Sequence, residues 1–136
     1  MKEALKLFTD WLPEDTRLVE WSDSDHAQIS HEIIGKSISF GGIECLDGDW
    51  IDCQAMFTAK MSAERAYSLT DALNLSDISY KDGAHDGYVD AYNTALLFAK
   101  LRLTPDYPVN EHVLLGAERL SFSIGDLLAG LNIAYA

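Results

Sequence analysis

Lysine and arginine are scarce in this chain. Ten of them stand against 22 aspartates and glutamates over 136 residues, a net charge of −12, and so acidic a surface repels a phosphate backbone or an anionic membrane. Neither nucleic acid nor a membrane is therefore expected as partner. Long apolar runs are missing too. The longest aliphatic and aromatic stretch, Ala95 to Ala99, is five residues, whereas a membrane-spanning helix needs about 20. Met1-Lys2-Glu3-Ala4-Leu5-Lys6-Leu7-Phe8 mixes charge with apolar groups and does not read as a secretory signal, so the expected localisation is cytoplasmic. The two cysteines, Cys45 and Cys53, read as reduced core thiols in such a compartment. No linker rich in Pro, Gly or Ser divides the chain and no segment repeats, so residues 1–136 read as a single acidic domain.

What is present is a pattern. Apolar residues make up 48%, enough for one core. Leu5, Phe8 and Leu12 make an apolar stripe at helical spacing before Pro13, which predicts a helix over residues 2–12. From Thr16 to Lys60 the period changes to two, with Ile38 and Phe40 set against Ser37 and Ser39, and Ile51, Cys53, Ala55 and Phe57 against Asp52, Gln54 and Thr58. With Gly41-Gly42 and Asp47-Gly48 between the runs, an antiparallel meander of three or four strands is expected. Beyond residue 60, Ser62 reads as the N-cap of a helix to Leu75 that buries Ala66, Leu69 and Leu73. Asp86 reads as the cap of a central helix through Leu101. Residues 110–119 form a candidate third helix, and Ser123 with Asp126 a capping box for a last one, stapled by Phe122 and Leu127. The expected class is α+β, with three or four helices packed on one face of the sheet.

The acidity is localised. Between residues 14 and 53 ten acidic residues face only Arg17 and Lys36, a net −8. Glu44, Asp47, Asp49 and Asp52 surround Trp50 at the expected hairpin turn, and Trp21 stands beside Asp23 and Asp25. An indole rimmed by carboxylates is a pattern for docking on a basic protein surface, while turn-forming aspartates around a core tryptophan are the plainer reading. Asp86 and Asp90 have a helix to support, so the binding face is placed on Glu44 to Asp52.

Chemical motifs are few. Asp82 to Asn93 fits an EF-hand register in part, but Ala84 and Asn93 occupy two ligand positions, which removes the ligands that matter most. His26, His31, His85 and His112 lack metal-site spacing, neither cysteine has a histidine beside it, and no phosphate-cradling glycine loop is present. No metal and no cofactor is expected. The functional class that fits small size, local negative charge and absent catalytic motifs is a non-enzymatic acidic binding module, a toxin-neutralising immunity protein that covers the cleft of a basic toxin or nuclease domain. An acidic secretion or effector chaperone is the closest alternative, and a small enzyme using a carboxylate pair is the rival from another class.

Overall fold

A computed structural model describes residues 1–81 and 86–113. Helices dominate it. Six elements precede the central helices: α1 (Lys2–Trp11), β1 (Val19–Glu20), α2 (Ser24–Gly35), a 3-10 turn (Ile43–Leu46), β2 (Ile51–Asp52) and α3 (Cys53–Lys60). Then come α4 (Leu69–Leu75) and α5 (Gly87–Leu103). The only sheet among the described residues has two strands, and they run parallel, with Val19 opposite Ile51 and Glu20 opposite Asp52. Parallel strands cannot be joined by a hairpin and need a crossover, which α2 and the 3-10 turn supply. The expected antiparallel meander of three or four strands is therefore overturned, together with the sheet-and-one-face arrangement built on it.

The reason lies in how helices end. Ser37, Ser62 and Asp77 each hold a left-handed backbone, at φ 49°, 50° and 57°, just past α2, α3 and α4. After α2 the Ser37 N–H reaches Ile34 O and the Ile38 N–H reaches Ile33 O, and the same paired bonds follow Ser62 and Asp77. This is the Schellman closure, in which a left-handed residue satisfies the last helical carbonyls. Glycine normally fills that position. Because serine or aspartate does so here, Ile38 and Phe40 resemble a strand in sequence while lying in the loop after a helix. Ser62, expected to open a helix, closes one. The α4 helix starts later, at Ser68, whose hydroxyl accepts from the Asp71 N–H at 3.1 Å, and Ala66 stays exposed.

Other local expectations hold. The α1 helix ends at Trp11, with Leu12 extended at ψ 132°, as the residue before a proline prefers. Asp86 caps α5, its Oδ1 accepting from the N–H groups of Tyr88 and Val89. The core joins α3, α4 and α5 through Cys53, Phe57, Ala72, Leu73, Leu75, Leu97 and Leu101. Phe57 meets the Tyr67 ring edge-on, with centroids 5.4 Å apart. Asn93, fully buried, is satisfied by a reciprocal pair with Lys81, taking its N–H at 3.2 Å and donating to its carbonyl at 3.4 Å. Both cysteines are free; Cys53 is buried as expected, whereas Cys45 is exposed and no core thiol. No described helix is long and apolar enough to cross a membrane. The candidate helix at 110–119 lies largely outside the described residues, and the one from Ser123 wholly so.

Candidate functional site

Three helix starts meet at one recess. Trp21 and Ser22 leave β1, Ser24 and Asp25 open α2, Ser68, Leu69 and Thr70 open α4, and Tyr80 leads to Asp90 in the first turn of α5; together they line a volume of about 420 Å³. It is more enclosed than the open hollows beside Asp77 and Lys60. Asp25 and Asp90 lie 65 positions apart in the chain, and only the fold brings them to one cavity. Asp90 is half-buried and its Oδ1 accepts from the Tyr80 hydroxyl at 3.1 Å, which leaves its other carboxylate oxygen for a ligand. Asp25 is exposed at the mouth. Each stands in the first turn of its helix, where the helix dipole favours negative charge.

The lining decides the chemistry. No described lysine, arginine, histidine or cysteine borders the recess; besides the two carboxylates its side-chain oxygens are hydroxyls, with the Trp21 indole beside them. Oxygen donors of this kind suit hard divalent cations. Among the described residues no group of three or more His, Cys, Asp or Glu could enclose a metal ion. A cation here would therefore have two protein carboxylates and would take the rest of its shell from water or substrate.

The residues expected to bind a partner have been dealt separate duties. Glu44 lies in the 3-10 turn, and Asp47 and Asp49 follow it, all three exposed. Asp52 caps α3, its Oδ1 accepting from the Ala55 N–H at 2.8 Å, so it does have a helix to serve and there is no hairpin for it to flank. Trp50 is half-buried, donates to the Leu46 carbonyl at 3.2 Å and stacks on His26. Trp21 packs against the core and lines the recess. Asp23 sits at the N-cap of α2 without a side-chain capping bond, and Asp25 belongs to the recess.

Asp90 and Tyr80 are the site residues that sequence reasoning passed over. A signal existed: once Asp86 is read as a cap, Asp90 lies one turn on, at the start of the same helix. Of the partial EF-hand register, Asp86 and Asp90 thus have other duties, and residues 82–85 lie outside the described ones. His26 and His31 stand on α2, five positions apart, and His112 is exposed. Comparison with protein-family models, curated proteins and solved structures returns no match. The geometry alone carries the functional reading.

Proposed function

We propose that the protein is a small hydrolytic enzyme in which Asp25 and Asp90 hold a divalent cation of the Mg²⁺ or Mn²⁺ type for a phosphate-ester substrate. The observation that carries this reading is the convergence of two carboxylates from different helices on one recess that no described cationic side chain lines. An acid–base pair of carboxyls needs one member withdrawn from water, and Asp25 is exposed, so cation ligation suits the pair better. Mg²⁺ is characteristically held by one or two carboxylates and completed by substrate phosphate oxygens, which fits a site without a full protein cage. Bound there, the cation would neutralise the charge that otherwise bars an anionic substrate and would act as Lewis acid. The reading departs from the expectation of a non-catalytic, metal-free module. It is tested by Mn²⁺ titration and by hydrolysis of bis(4-nitrophenyl) phosphate in Mg²⁺ or Mn²⁺. Asp25→Asn and Asp90→Asn are each expected to weaken Mn²⁺ binding and abolish turnover; binding unchanged in both variants would falsify the proposal.

A second reading keeps the acidic partner-binding module, as an immunity protein against a basic toxin domain. One observation favours it. Of the ten acidic residues between 14 and 53, only Glu32, paired with Lys36, has a cation at ion-pair distance among the described residues, so the negative field there is uncompensated. Glu44, Asp47 and Asp49 then steer the partner in a cytoplasmic setting that suits two free thiols. Association with a basic toxin domain is expected to slow as salt rises and when those three are neutralised together. Salt-independent association argues against it.

A further inference from the structure

Glu20, at the end of β1, is only 5% exposed, and burying a carboxylate is costly unless hydrogen bonds repay its desolvation. Its Oε2 accepts from the backbone N–H of His26 at 2.8 Å. His26 is the third residue of α2, a position whose N–H an N-capping side chain normally satisfies, and Asp23 at the cap makes no such bond. Glu20 thus caps α2 from the neighbouring strand. The His26 ring is held as well: it stacks on Trp50, with centroids 5.2 Å apart and planes 16° from parallel. The α2 helix buries no residue of its own. Its first turn is therefore held by this clasp more than by a packed face, and Asp25 is the residue of that turn directly before His26.

We infer that Glu20 is a positioning residue for Asp25, fixing the first turn of α2 so that the Asp25 carboxylate faces the recess it shares with Asp90. The inference rests on the proposed reading of the recess as a cation site. Reach and charge can be separated experimentally. Glu20→Asp keeps the charge but is one methylene short of the His26 N–H, whereas Glu20→Gln keeps the reach and an acceptor oxygen but loses the charge.

The test is Mn²⁺ affinity of the intact protein by electron paramagnetic resonance. Positioning predicts about a tenfold or greater loss in Glu20→Asp, about twofold or less in Glu20→Gln, and no change in Asp23→Asn, an exposed acid equally near in sequence. The reverse order of the two Glu20 variants, or unchanged affinity in Glu20→Asp, overturns the inference. Should Glu20→Asp fail to fold, the other side of the clasp is probed: Trp50→Phe keeps a ring over His26 and retains affinity, Trp50→Leu loses it, and equal affinity in the two overturns the role. If the wild-type protein binds no Mn²⁺, the reading of the recess fails instead. Amide exchange then decides the positioning role, with faster exchange at Asp25 and His26 in Glu20→Asp supporting it and unchanged exchange overturning it.

Discussion

The two halves of the described chain are built on different terms. Of the ten buried apolar residues, only Leu5 and Leu46 precede residue 53; the other eight lie between Cys53 and Leu101. The first half is the acidic one. Its helix α2 contributes nothing to the interior, and α1 buries Leu5 against the 3-10 turn that carries Leu46 while Leu7 and Trp11 remain 65% and 73% exposed. Clustered carboxylates repel one another and weaken a compact state, and this half has little apolar burial to offset that. The second half supplies the cohesion, and the first is held to it by single polar ties: the parallel strand pair, the Glu20 cap and the His26–Trp50 stack. Local charge and local burial have thus been segregated, and the candidate recess lies where the two halves meet.

The sharpest way to break this contrast is to cut into both halves. Phe57, fully buried, should cost about 3–5 kcal/mol when replaced by alanine, whereas Leu7→Ala should stay within about 0.5 kcal/mol of wild type. Urea unfolding measures both, and comparable losses would show that the first half has an interior of its own. Alkali should also act through the second half. Burial, with the Asp52 charge adding to it, pushes the Cys53 thiol up to about 12 from its ordinary value of 9.0. Between those values the folded chain keeps a proton that the unfolded chain releases, so stability is fully present below pH 9.0 and falls as pH rises toward 12. Thermal melts of wild type and Cys53→Ala across that interval check the sign. Iodoacetamide should modify exposed Cys45 in the native protein and Cys53 only after unfolding.

Smaller effects sharpen the comparison within the acidic residues. Asp52→Ala and Asp86→Ala each remove a helix cap and should cost about 0.5–2 kcal/mol. Asp47→Ala and Asp49→Ala, which serve no helix, should change stability by less than about 0.5 kcal/mol. Equal losses in the two sets would mean that the capping bonds contribute little. Finally, Ser37→Gly and Ser62→Gly remove the steric cost of a left-handed serine and should raise the melting temperature slightly, each by a gain of up to about 1 kcal/mol.

How much of this could be read in advance follows from how far each signal reaches. Caps and helix starts act within three or four residues, and for that reason Leu5 with Pro13 marked α1 and Asp86 marked α5. The run Ile51, Cys53, Ala55, Phe57 carries two periods at once. Read in steps of two it is a strand; read at i and i+4, Cys53 and Phe57 form one helical face, and both are buried. The deciding residue was Asp52, whose carboxylate caps α3 and which, in the expected hairpin, had been given to a partner instead.

By itself, then, the amino-acid order determined the local helix grammar of α1 and α5, the strongly acidic stretch from residue 14 to 53 and the lack of a long apolar run. Whether the chain would pair strands antiparallel or parallel, which aspartates would cap helices, and which would meet across the fold were decided only by tertiary structure. The physical reason is range. Hydrogen bonds at a helix end are closed by neighbours in the chain, but Glu20 reaching over to α2, or Asp25 facing the same recess as Asp90, depends on the packing of α3, α4 and α5 around Phe57 and Leu97, and no periodicity in the sequence encodes which distant elements that packing brings together.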